Sequence, residues 1–229
     1  MFDHSSRVRN AVLVFVATGL LATGIITVAG VAQQMPADLD PASGARLGYL
    51  TRQDLGDAGS RLSDIFARNG GPTDPVSGPL AFAAYNIPVA NALLDLHDGA
   101  VGTDTLDAHA RELAIMVASR ETNYSLEWNG HLQAALNAGV DQNVLDVVLG
   151  GQALSGISDE DAAVIRFGRE LLNDRQMSSE TFAQAVEFFG EHGAMDLVAV
   201  MSTYAVSGFY AIAVDEHPPG QDVLEPLPR

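Results

Sequence analysis

Residues 106–139 read LDAHARELAIMVASRETNYSLEWNGHLQAALNAG, and their reading decides the fold. Leu106, Ala110, Leu113 and Val117 fall on one stripe of a helix over about 104–118, with Met116 beside it. Asp104 or Thr105 can cap its start. A second helix, over about 123–138, stops at Gly139. The turn Arg120–Asn123 reverses the chain between them, so the two helices run antiparallel and Glu112 comes level with His131.

Working outward, the remaining segments carry the same period. Residues 33–79 are rich in Pro, Asp and Gly and read as an extended lead. It holds one short helix, on which Leu62, Ile65 and Phe66 recur at helical spacing. Residues 80–96 are apolar, with Pro88 predicted to break them into two helical pieces. Downstream, helices are expected over 141–149, from the Ser158-Asp159-Glu160-Asp161 start to about Leu172, and from Ser178 or Ser179 to Gly190. The last, over about 194–213, is apolar almost all round, as expected of a helix that is central or shared with another subunit. No segment alternates polar and apolar residues strictly. The expectation is an all-α fold of about seven or eight helices, in a single domain over residues 33–229.

The N-terminus reads differently. Arg7 and Arg9 precede residues 11–32, AVLVFVATGLLATGIITVAGVA, which carry no charge. A basic start before such a run reads as a signal peptide cut after Ala32, or as a retained membrane anchor touching the bilayer through residues 11–32. The expected location is therefore exported, periplasmic or secreted, or membrane-anchored.

Composition removes several function classes. The 229-residue chain has 12 basic residues, all Arg, against 29 acids, for a formal charge of −17. An acidic surface of that size argues against a nucleic-acid partner, since neutralising phosphates takes a basic one. The chain has no cysteine, which excludes disulfides, thiolate metal sites and thiol peroxidase chemistry.

The polar residues that stand among apolar helices are the candidate site. Glu127 and His131 are four apart and share a helix face with Ala134, Ala135 and Ala138. Trp128 beside them offers a flat wall. With Glu112 from the preceding helix they make a cluster of two acids and an imidazole. Burial raises a carboxyl pKa and imidazole exchanges protons near neutrality, so such a cluster suits general acid–base work. The same residues also fit a purely structural tie between two helices, in a non-catalytic oligomeric binding protein. A third reading is a metal set drawing on His109 and Glu112 with Glu127 and His131, although neither spacing is a strong ligand signature. Arg120 and Arg111 are the nearest guanidinium groups for a substrate carboxylate, Arg111 pointing away from the Leu113 face. Tyr204 and Tyr210 read as core aromatics or as pocket lining. His97 reads as a surface or capping group, and His192 as solvent-facing in a turn.

These residues resemble the carboxymuconolactone decarboxylase family, which includes the AhpD-like proteins. The resemblance runs through Arg111-Glu112-Leu113, then Glu127-Trp128-Asn129-Gly130-His131, then Ala134, Ala135 and Gly139. It extends to Gly78-Pro79, Asn86-Ile87-Pro88 and FFGEHGAMDLVAVMSTY over Phe188–Tyr204. The AhpD-like branch places a glutamate, two cysteines and a histidine where this chain has Glu112, Tyr124, Glu127 and His131. The chain is therefore similar to the cysteine-free members, and the thiol peroxidase activity does not carry over. The resemblance implies an AhpD-like all-α fold and a homo-oligomer, whether dimer, trimer or hexamer. It also implies a lyase or isomerase that needs no cofactor and no metal. The namesake reaction converts 4-carboxymuconolactone to an enol-lactone with loss of CO2. By that likeness His131 handles the proton while Glu127 and Glu112 orient it. An arginine such as Arg120, or backbone N–H groups, would hold the carboxylates of a small-molecule substrate, Trp128 would close the pocket, and Tyr124 and Tyr204 are further substrate-binding candidates.

Overall fold

The computed structural model describes residues 36–67, 69–220 and 224–225. The signal or anchor expected at residues 1–32 lies outside them. The chain divides between Met35 and Pro36, and all that follows concerns the second unit, Pro36–Arg229.

Among the described residues, eight α-helices follow in order: α1 (Arg52–Leu55), α2 (Ser60–Phe66), α3 (Ile87–Val101), α4 (Ala108–Glu121), α5 (Ser125–Asn137), α6 (Gln142–Leu149), α7 (Asp159–Arg169) and α8 (Ser179–Val214). The described residues hold isolated backbone bridges such as Thr51 to Pro75 but no strand, so the all-α expectation stands.

Local chemistry sets most of the boundaries. Asp107, rather than Asp104 or Thr105, caps α4 by accepting from the Ala110 amide. Ser158 and Ser178 cap α7 and α8 as expected, accepting from the amides of Asp161 and Thr181. Asn123 takes a left-handed φ of 55°, closing the turn that lays α5 back along α4. Gly190 is likewise non-helical, with φ 70° and ψ 175°, and interrupts α8 where the sequence ends one helix and begins the next.

Two expectations are corrected. The 80–96 segment does form two helical pieces, a 3-10 turn over Phe82–Tyr85 and α3, but the break falls at Asn86, and Pro88 sits in the first turn of α3, where its missing N–H would have had no helical partner. The lead holds a second short helix, α1, stabilised by a capping box between Thr51 and Asp54.

The most enclosed helix is α4. Every residue from Leu113 to Arg120 is buried, because α5, α7 and α8 pack around it. Ala114, Ala118 and Ser119 are small enough to let neighbours approach on all sides. The second part of α8 is central on one face only. Leu197, Val200, Met201 and Tyr204 are buried, whereas Met195, Phe209 and Ile212 are more than half exposed. By length and hydropathy α8 would pass as a membrane span, yet 56% of its most apolar window is buried inside this fold. A smaller core, including Leu55, Leu62, Val76, Leu80, Ala90 and Leu94, forms where the lead and α2 fold over α3. The candidate site lies at its junction with α5 and α8.

Candidate active site

Two antiparallel helices bring the cluster together. His131 on α5 places Nδ1 2.9 Å from Oε2 of Glu112 on α4. Its Nε2 lies 3.8 Å from Oε2 of Glu127, one turn back along α5. The second distance is too long for a hydrogen bond. It leaves Nε2 and the Glu127 carboxyl side by side, both able to reach one molecule between them. An ionised carboxylate only accepts, so Glu112 fixes the ring hydrogen on Nδ1 and leaves Nε2 of the neutral ring as a base.

The electrostatics follow from burial. The Glu127 side chain is 5% exposed, that of Glu112 15% and that of His131 25%. Burial pushes Glu127 up to about 7, against the opposing pull of His131 and a hydrogen bond from Ser207. Burial disfavours the charged imidazole of His131. The Glu112 hydrogen bond and the charges of Glu127 and Glu112 outweigh it, and His131 is raised above its ordinary value. A carboxyl pushed up to about 7 and an imidazole raised above its ordinary value are thus held within reach of each other.

They open on space. A cavity of about 290 Å³ has Glu127 and His131 in its lining, with Tyr204, Thr203 and Ser207 from α8 and His97 and Asp98 from α3. Ile65, Phe66, Leu80, Leu93 and Leu94 give it apolar walls. An adjoining recess past Gly78, Leu126 and Gly130 also reaches Glu127 and His131. A more open cleft of about 440 Å³, lined by Asp40, Tyr49 and Asp74 among others, shares Gly78 and Leu126 with that recess but has neither Glu127 nor His131 in its lining.

Of the residues expected to bind substrate, only Tyr204 lines this cavity. Its ring stands edge-on to that of His131, centroids 5.0 Å apart. Trp128 is buried in the main core instead, because its place on α5, next to Glu127, turns it inward. Tyr124 donates its hydroxyl to Glu216 Oε2 at 3.0 Å and faces a separate recess at the end of α8. Arg120 is tied down, donating from one guanidinium nitrogen to Asn123 Oδ1 at 2.9 Å and to the Glu225 carbonyl at 2.8 Å. His109 is drawn away from Glu112 to Asp161, with Nε2 2.6 Å from Oδ1, and so does not join the cluster.

The sequence reading undervalued His97, which lines the cavity rather than capping α3. The signal was present: His97 follows Leu93 and Leu94 at helical spacing, on the stripe that carries those walls. Ser207 was missed as well. Thr203, Tyr204 and Ser207 form a polar line down an otherwise apolar helix, which is the pattern of a lined pocket.

Comparison with known proteins agrees with the all-α fold. The fold resembles the crystal structure of a cysteine-to-alanine variant of the debrominase Bmp8 in complex with 2,3,4-tribromopyrrole, with a TM-score of 0.57 and 14% identity. The likeness covers 76% of this chain and 91% of that one, and it is a likeness of fold. No curated protein matches the sequence. Residues 88–170 match the model of the carboxymuconolactone decarboxylase family. That span takes in Glu112, Glu127 and His131, so the part of the chain that carries the cluster is the part similar to that family.

Proposed function

We propose that this protein is a small-molecule enzyme of the lyase or isomerase kind that moves a proton with its own side chains, on a small lactone or carboxylated compound. One observation carries the reading. Glu127, held near neutrality by burial, and His131, oriented by Glu112, stand together at the edge of a cavity of about 290 Å³. That volume suits a compact ring and little more.

The lining favours a lactone over a polycarboxylate. No arginine is among the described residues that line the cavity, whereas Glu127 and Asp98 are. A substrate carbonyl can lie among such groups without the cationic clamp that several carboxylates would need. In this reading Nε2 of His131 accepts a proton from an activated C–H, and Glu127 shares the proton load.

The test is solvent exchange. A panel of small unsaturated lactones and keto acids is incubated in D2O and followed by proton NMR. Wild type should introduce deuterium next to the carbonyl of at least one compound, and His131→Ala should slow this by about 100-fold or more. Equal rates in the two proteins would overturn the proposal.

A further inference from the structure

A second proton-handling group stands at the same cavity. The hydroxyl of Tyr204 on α8 lies 3.4 Å from Nε2 of His97 on α3. Nδ1 of His97 is 3.3 Å from Oδ1 of the neighbouring Asp98. That carboxylate accepts from Nδ1–H of His97, and the doubly protonated ring carries a second hydrogen on Nε2 that it donates to the Tyr204 oxygen, which leaves the phenol's single hydrogen for a ligand. Burial pushes the Tyr204 phenol far above its ordinary range, so it stays protonated and remains a donor. On its other side the Tyr204 ring abuts His131, with the ring planes at 87°. The cavity thus offers a proton acceptor on α5 and, from α8, a neutral hydroxyl steadied by α3.

We propose that Tyr204, positioned by His97, hydrogen-bonds the carbonyl oxygen of the substrate, and that the substrate is an enolisable, β,γ-unsaturated carbonyl compound isomerised by a 1,3-proton shift. The proposal rests on the proton-transfer reading above and gives it a substrate class. The bond that breaks is the C–H between the carbonyl and the double bond. Its proton goes to Nε2 of His131, and the electron pair spreads through the double bond onto the carbonyl oxygen. Charge develops on that oxygen, and a fixed donor is worth most where charge develops. The proton then returns from His131 to the γ-carbon, and the double bond moves into conjugation. Nothing is oxidised or reduced, and no co-reactant is consumed. Tyr204 touches the reacting oxygen and is a catalytic residue in this scheme. His97 acts through Tyr204 and is a positioning residue.

Two measurements test this. The first uses 4-nitrophenol as a mimic of the enolate oxygen, with binding and band position followed by absorbance. Wild type should bind the dye and displace its band. Tyr204→Phe, which keeps the ring, should abolish the displacement and weaken binding about tenfold. His97→Gln should leave a smaller displacement than wild type, a change that a merely structural role would not produce. The second uses a β,γ-unsaturated butenolide. Tyr204→Phe should lower kcat about 100-fold with KM little changed. Circular dichroism checks that each variant is folded, and if Tyr204→Phe is not, His97→Gln decides by the band. A dye that ignores wild type, or a band identical in wild type and folded variants, would overturn the role of Tyr204. That result is distinct from failure of the wider reading, which would show as no deuterium incorporation by wild type from any lactone or keto acid.

Discussion

Nδ1 of His131 lies 2.9 Å from Oε2 of Glu112, a contact between residues nineteen apart in the chain and on different helices. It leaves Nε2 to face the cavity, and it offsets the cost of burying an imidazolium.

Removing that carboxylate should therefore lower the His131 pKa. In Glu112→Gln the imidazole keeps its burial and loses the charged hydrogen bond. NMR titration of the ring should show a clear fall from the wild-type value, and turnover should drop by about 10- to 100-fold. An unchanged titration would mean that Glu112 does not govern the ring.

Glu127 should make the fold less stable as pH rises. Burial raises its folded pKa to about 7, above its ordinary value of 4.5. The folded state then binds the proton more tightly than the unfolded chain. The stability this gives is complete below about 4.5 and is lost as pH climbs through about 7. His131, also raised, has the same sign: its contribution is present below its ordinary 6.5 and disappears through its higher folded value. Glu121 and Glu216 are raised by burial too, so the comparison has to be made against a variant. Urea unfolding at pH 5 and pH 8 should show Glu127→Gln losing less stability than wild type, by on the order of 2 kcal/mol. Parallel pH profiles would contradict the assignment.

Gly208 holds α8 against the turn after α4. A Cβ there would stand 2.5 Å from Oγ1 and 2.6 Å from Cβ of Thr122, whose hydroxyl already donates to the Ala118 carbonyl at 2.8 Å. Gly208→Ala should cost about 1–3 kcal/mol in chemical denaturation by forcing the helices apart. Because Ser207 and Tyr204 ride on the same helix, KM for any lactone substrate should rise with it.

Arg120 should matter for stability more than for binding. It is buried, and it ties the chain near Glu225 to the end of α4. Arg120→Met should lower stability by about 1.5–3 kcal/mol, the range for hydrogen bonds to a charged group. A rise in KM without loss of melting temperature would restore it to the substrate site.

Helix by helix, the sequence disclosed what depends on neighbours in the chain. Apolar period, Ser158 and Ser178 as caps, and the stop at Gly190 are local, and the structure repeats them. The antiparallel pair of α4 and α5 was legible because the turn is short and its ends are marked. With it came the meeting of Glu112 with His131. What the period could not reveal was which way α4 faces. A stripe of four apolar positions suggested a one-sided helix, but its alanines and serine let three helices close around it.

The chain by itself determined the helical class and the meeting of an imidazole with two acids, since both follow from spacing along one or two adjacent helices. Only tertiary packing decided what those groups face. His97 and Tyr204 are 107 residues apart and share a cavity because α3 and α8 pack side by side. Trp128 and Arg120 sit beside the cluster in sequence, yet helical rotation and a returning tail turn them elsewhere. Spacing reaches across one turn or one hairpin, and the membership of a cavity depends on contacts far beyond that range.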